Sequence, residues 1–154
     1  MILEGKTIII CGVGSGLGSE IGRAAYRDGA NVVLAARTPA ILEAAAKEID
    51  PTGERVEIVP TDITDEAQCQ ALAAAASQRF GRVDAMAQVA AVDTLFSSFA
   101  EVTAEDIERC MSTNLIGSVL MSRAAAAKMK ESGGGSIVLI GSQASWVPGM
   151  PQIA

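Results

Sequence analysis

The stretch CGVGSGLGSEIG at positions 11–22 sets Gly12, Gly14, Gly16 and Gly18 within seven residues, directly after the apolar run TIII. Glycine weakens regular structure and is kept where a chain must turn sharply or let another group come very close to its backbone. A turn of this kind between a strand and a helix offers free N–H groups and the positive end of the helix dipole, which together hold a phosphate. The spacing Gly12-x-x-x-Gly16-x-Gly18 fits the dinucleotide-binding variant GxxxGxG and not GxGxxG, and the lack of a following GK[ST] excludes a Walker loop. In that reading Gly12 permits the turn, Gly16 admits a pyrophosphate, and Gly18 lets the helix pack close. A glycine-rich turn without a ligand is the alternative.

Three further positions could do chemistry. At the end of the next apolar run, NVVLAAR, an NAD site carries an acid for the ribose 2′-hydroxyl; here Ala36 stands there, Arg37 follows, and no acid occurs from Ala30 through Leu42. An arginine without that acid suits the 2′-phosphate of NADP, so NADP(H) is expected over NAD(H), with a solvated arginine as the other reading. Asn114 shares a three-to-four-residue spacing with Ile107, Cys110, Gly117 and Met121, which predicts one apolar helix face. A buried amide there must find partners, so it is either a satisfied structural asparagine or a residue that organises a site. Ser142 falls just past SIVLI, at the carboxyl end of an expected strand, where ligands of open α/β sheets bind; a turn or cap serine is the bland reading.

These residues need a scaffold, and the pattern along the chain supplies one. Strands are predicted at 6–11, 31–37, 55–60, 83–90 and 136–142. Helices are predicted at 16–28 (ended by Gly29), from the Thr38 cap and Pro39 to Ile49, from an Asp65 or Thr64 cap to Phe80 before Gly81, and from about Thr103 to Lys130 before the GGG at 133–135. Strands alternating with helices of this length predict an α/β fold with a parallel sheet and helices on both faces, in one domain over 1–154. Near-continuous apolar strands fit a sheet covered on both faces, and the alanine runs at 73–76 and 124–127 read as packing faces.

Composition narrows the function. Hydrophobic residues make up 49% of the chain, enough for a packed core, and the net charge of −6 argues against a nucleic-acid partner. No apolar run approaches the roughly 18 residues that span a membrane. There is no histidine, which removes histidine-based metal sites and triads, and no metal site is expected. The three cysteines, Cys11, Cys69 and Cys110, form no CxxC pair and point to a reducing, cytoplasmic setting.

Taken together, the residues resemble the short-chain dehydrogenase/reductase family. That family's glycine motif reads TGxxxGxG, with Cys11 here in place of the threonine. Its aspartate after the third strand, which touches the adenine, is matched by Asp62 in TDIT. Its NNAG after the fourth strand corresponds to Gln88-Val89-Ala90-Ala91, of which only Ala90 matches. Its active-site asparagine is matched by Asn114 in NLIG and its catalytic serine by Ser142. The resemblance implies a Rossmann-type doubly wound parallel sheet of order 3-2-1-4-5 and an NAD(P)-dependent oxidoreductase interconverting an alcohol and a ketone or aldehyde by hydride transfer. It implies catalytic roles for Asn114 and Ser142, with cofactor contacts from Gly12, Gly14, Ser15, Gly16, Leu17, Gly18, Arg37, Asp62, Ile63 and Ala90. It also implies a small-molecule alcohol or carbonyl substrate and a homodimer or homotetramer assembled through the 103–130 helices.

The family's proton donor is a tyrosine in a YxxxK motif, 12 or 13 residues after the serine. The only tyrosine here is Tyr26, with Ala30 four residues on, and thirteen residues after Ser142 is position 155. An uncovered SIVLI edge would be an aggregation hazard, so the expectation is the N-terminal part of a longer single domain, which the resemblance implies is about 250 residues long. Trp146, Met150 and the 93–99 loop are candidate substrate-pocket residues, or simple packing. A non-catalytic dinucleotide-binding sensor or scaffold is the alternative function, and a methyltransferase is disfavoured by Arg37 and by the Asn114/Ser142 pair.

Overall fold

Strand β1 (Thr7–Cys11) lies at the centre of a five-stranded parallel sheet of order β3-β2-β1-β4-β5. The structure is a computed structural model, and it describes residues 1–92 and 100–143. The other strands are β2 (Asn31–Ala36), β3 (Val56–Pro60), β4 (Ala85–Gln88) and β5 (Ser136–Leu139). The strands are shorter than the predicted runs: β1 and β3 each lose the first residue, while β2, β4 and β5 lose their last residues to the loops at the carboxyl edge.

Register decides which residues meet at that upper edge. Cys11 lies opposite Ala35 of β2 and Gln88 of β4, Gln88 lies opposite Leu139 of β5, and Ala36 lies opposite Pro60 of β3. Gly12, Arg37, Thr61, Val89 and Ile140 therefore all emerge at the carboxyl edge of the sheet. Pro60 ends the outer strand β3, where its missing N–H interrupts no central ladder.

Both faces are covered at β1 and β2, as their apolar residues require, whereas Val138 and Leu139 of β5 are exposed. On one side Ile9, Cys11, Val33 and Met86 pack with Leu72, Ala73 and Ala76 of α3 (Glu66–Phe80) and with Met121 and Ala125 of α5 (Ser118–Glu131). On the other, Ile10, Val32 and Leu34 pack with Ala25 of α1 (Leu17–Arg27) and with Leu42, Ala45 and Ile49 of α2 (Pro39–Ile49). Helix starts follow local chemistry. The Asp65 carboxylate accepts from the N–H groups of Ala67 and Gln68, and Gly81 ends α3 in the left-handed conformation. Thr38 holds the N-cap position of α2, but its side chain makes no capping bond; Pro39 in the first turn sets the start instead.

The stretch expected as one helix over 103–130 has three parts. Thr103 and Asp106 form a reciprocal capping box on α4 (Ala104–Cys110), a π-helical segment follows over Met111–Gly117, and α5 completes the run. The wider π turn shifts the helical phase, so the stripe read from spacing does not stay on one buried face. Met121 and Gly117 are buried, Asn114 is half-buried, and Ile107 is exposed. The alanine run divides likewise: Ala124 and Ala125 are buried, Ala126 and Ala127 exposed. Among the described residues no helix is long and apolar enough to cross a membrane.

Candidate functional site

The glycine turn is built by two close approaches. Gly12 has φ +99°, and a Cβ on it would stand 2.2 Å from the backbone nitrogen of Ala90, so only glycine lets β1 and the exit of β4 pass this closely. A Cβ on Gly18 would stand 2.3 Å from the Gly12 carbonyl oxygen, which presses the start of α1 onto the turn. The N–H groups of Gly12 and Val13 both donate to Ala35 O, tying the turn to β2. Ser19, almost fully buried, donates its hydroxyl to Gly14 O and braces the loop from inside α1.

By contrast, Gly14 and Gly16 border open space. Gly16 is the N-cap of α1 and carries no side chain to cap it. The N–H groups from Gly14 through Gly18 meet no acceptor among the described residues. Five successive unpaired donors at a helix N-terminus could hold an anionic group such as a phosphate, and the positive end of the helix would add to that attraction.

A crevice of about 520 Å³ opens beside this turn. Of the residues singled out in the sequence, Gly12, Gly14, Arg37, Asp62, Ile63 and Ala90 line it. Ser15, Gly16, Leu17 and Gly18 stand outside the lining, at the turn and the first turn of α1. The Asp62 carboxylate accepts from the N–H (2.9 Å) and the hydroxyl (2.7 Å) of Thr64 through the same oxygen, Oδ1. Its Oδ2 thus has no protein donor among the described residues and can receive one from a ligand. Arg37 is exposed and makes no ion pair among the described residues.

Asn114 sits in the π segment, away from the crevice lining. Its Oδ1 accepts from Val92 N–H at 2.7 Å, and its Nδ2 donates to Val92 O at 3.0 Å and to Cys110 Sγ at 3.3 Å. Both ends of the amide thereby grip the backbone leaving β4. Ser142 is exposed beyond β5, on the same edge, where Ile140 N–H still donates to Gln88 O at 3.1 Å. Trp146, Met150 and the 93–99 loop lie outside the described residues.

Other crevice residues escaped the sequence reading. Thr38 and Ile41 come from the start of α2, and Arg109, Ser112 and Thr113 from the α4–π junction. The last three are spaced by three and four residues, so a polar helical stripe was there to be read beside Asn114. Gly117 is what brings that helix in: a Cβ on it would stand 2.8 Å from Ile63 Cγ1.

Perturbed groups lie away from the crevice or are inert. Burial pushes the thiols of Cys11 and Cys69 up, so neither is a nucleophile at neutral pH. Burial also pushes Asp50 and Asp84 up, but hydrogen bonds outweigh it and hold both at about 2. Asp50 accepts from Thr52, from Arg55 N–H and from the Tyr26 hydroxyl; Asp84 accepts from Arg82, Thr7 N–H and Lys6. Asp84 meets the first residue of β1, at the end of the sheet opposite the crevice, so it stitches the fold. Tyr26, with Arg55 stacked 3.8 Å over its ring, is likewise structural.

The sequence model of the short chain dehydrogenase family matches residues 6–154. The chain belongs to the short chain dehydrogenase family. It is 33% identical over 150 residues to an L-rhamnose 1-dehydrogenase (NAD(P)(+)) of Sphingomonas sp. strain SKA58, covering 96% of this chain and 59% of that protein. It is 32% identical over 145 residues to a D-threitol dehydrogenase of Mycolicibacterium smegmatis, covering 94% of this chain and 55% of that one. Among solved structures, a 7 alpha-hydroxysteroid dehydrogenase complexed with NADH and 7-oxo glycochenodeoxycholic acid superposes with TM-score 0.88 at 30% identity, over 97% of this chain and 58% of that chain. The chain thus spans somewhat more than half the length of the relatives it matches. The parallel sheet of order 3-2-1-4-5 is the Rossmann-type fold shared with these structural neighbours.

Proposed function

We propose that this protein is an NAD(P)-dependent oxidoreductase interconverting an alcohol and a ketone or aldehyde. The observation that carries the reading is the run of unpaired N–H groups from Gly14 to Gly18 beside a crevice floored by Gly12 and Ala90. Those donors and the helix end fit a pyrophosphate. Oδ2 of Asp62 is a free acceptor for a base amine, and Ile63 offers an apolar contact for the ring. When bound, the nicotinamide supplies hydride transfer; the protein's share is to hold and orient it.

Ser142 is read as the donor that polarises the substrate oxygen, and Asn114 as a positioning residue that fixes the β4 exit through Val92. Within the cofactor class, NADP(H) is favoured over NAD(H). Arg37 follows β2 with no acid partner, and Asp62 is the one acid lining the crevice among the described residues. Assembly as a homodimer or homotetramer is read from the exposed apolar residues Ile107, Met111, Leu115 and Val119 along the α4–π–α5 rod. Val138 and Leu139 of β5 and Ile140 just after it are also exposed, which supports reading the chain as part of a larger single domain.

Calorimetric titration with NADPH, NADH and S-adenosylmethionine tests the reading, together with turnover assays on alcohols and carbonyls. Binding of a nicotinamide dinucleotide with turnover supports it. Binding without turnover on any alcohol or carbonyl favours a sensor or scaffold, and binding of S-adenosylmethionine alone overturns it.

A further inference from the structure

We infer that Arg109 is a second determinant of cofactor choice, acting with Arg37 on the 2′-phosphate. The inference rests on the dinucleotide reading above and concerns a residue outside the glycine motif, on α4, separated from Arg37 in the chain by α2, β3, α3 and β4.

The argument begins from charge. The chain carries −6 net, yet the charged residues lining the crevice are Arg37, Arg109 and Asp62, two cations against one acid. A cleft whose lining carries net positive charge attracts anions, so this crevice favours an anionic group on an otherwise acidic protein. A phosphate monoester bears roughly −1.5 to −2 at neutral pH, which one guanidinium leaves partly uncompensated and two compensate.

The arginines themselves are sorted by how they are held. Of the eight in the chain, six are committed elsewhere. Arg23 meets Glu48 at 2.6 Å, Arg82 meets Asp84 at 2.5 Å, and Arg123 pairs with Glu66. Arg55 donates to Ala30 O at 2.9 Å, Arg27 to Asp28 at 3.1 Å, and Arg79 to Glu54 O at 3.2 Å. The two least engaged are the two in the crevice. Arg37 has no ion pair among the described residues, and Arg109 reaches only Asp106 Oδ1, at 3.5 Å. That separation exceeds the roughly 2.7–2.9 Å of a charge-assisted bond. The other oxygen of Asp106 is occupied by the N–H and the hydroxyl of Thr103 in the capping box. Arg109 is thus a tethered but unsatisfied guanidinium, and Ser112 and Thr113 bring two hydroxyls to the same rim.

The test is the affinity of the purified protein for NADPH and NADH in Arg109→Ala and Arg109→Lys, with Arg37→Ala for comparison. The loss of one charge-assisted contact predicts about a tenfold rise in the NADPH dissociation constant for Arg109→Ala, with NADH unchanged. Arg109→Lys recovers part of the loss, because it keeps the charge and not the fork. Melting temperatures equal to the parent confirm that the folded protein is measured, and the lysine variant carries the test if the alanine variant fails to fold. If the parent prefers NADPH and Arg109→Ala keeps that preference, Arg109 has no such role, while the NADP reading stands on Arg37. If Arg109→Ala weakens both dinucleotides equally, this assignment also falls. If the parent shows no preference for NADPH, the NADP reading fails and this inference with it.

Discussion

Replacing Gly12 by alanine should damage the fold, whereas replacing Gly14 by alanine should damage only the site. At Gly12 the added methyl meets three backbone atoms of Val89 and Ala90 at 2.2, 2.6 and 2.8 Å, and φ is +99°. These backbone atoms, held by the Val89 and Ala90 N–H groups donating to Cys11 O, cannot swing aside as a flexible side-chain end can. Holding alanine at such a φ costs about 1–3 kcal/mol. Forcing the β1 turn away from the β4 exit costs roughly another 1–3 kcal/mol, as overpacking does. A total near 4 kcal/mol corresponds to a fall in melting temperature of about 8–16 °C for a chain of this size. At Gly14 the added methyl meets nothing within 4 Å and φ lies outside the positive range, so the melting temperature should stay at the parental value. The same methyl projects beside the N–H run and should weaken dinucleotide binding tenfold or more, a loss of about 1.4 kcal/mol. Thermal melts by circular dichroism, paired with NADPH titration, read both effects. Equal melting temperatures for Gly12→Ala and the parent would refute the close-approach argument. A Gly14→Ala protein that binds NADPH as the parent does would refute the placement of the diphosphate.

Two further outcomes follow from the described contacts. Asn114→Ala should leave Val92 N–H and C=O without their partner, lowering stability by about 2 kcal/mol and kcat with it; Asn114→Asp should recover only the bond from Val92 N–H, and a melt and a rate at the parental values for Asn114→Ala would refute the gripping role. Asp50 and Asp84 titrate at about 2 folded against 3.8 unfolded, so the unfolded chain binds more protons between those values and stability rises with pH there. Each contributes about 2 kcal/mol that is complete above roughly pH 5 and lost as the pH falls towards 2. Urea midpoints should drop over that window and drop less in Asp84→Asn; identical pH profiles would contradict the assignment.

Some of this was legible before the structure, for identifiable reasons. Alternating apolar runs and helical stretches state a parallel sheet with helices on both faces, because parallel strands need crossovers and crossovers have one hand; the strand order came from the family resemblance. Gly81 and Asp65 marked the ends of α3 because their roles are local. The π segment at Met111–Gly117 was not legible: a wider turn uses the same residues as an α turn and leaves no spacing signature of its own. That segment moved Ile107 to the surface and made Asn114 a clamp on Val92. Arg109 was missed because its relation to Arg37 arises from register and helix placement, over a sequence separation that no local pattern spans. The Ser19 brace on Gly14 was missed because a serine in the first turn of a helix reads as ordinary helix chemistry.

The central claim is that the bare backbone from Gly14 to Gly18 exists to receive the diphosphate of a nicotinamide dinucleotide. Amide chemical shifts of the labelled protein during NADPH addition test it directly. The account predicts that the largest shifts fall on the N–H groups of Gly14 to Gly18, with Arg37 and Asp62 next. Saturating NADPH that leaves those five amides unmoved, or that moves residues at the opposite end of the sheet around Asp84 instead, would contradict it.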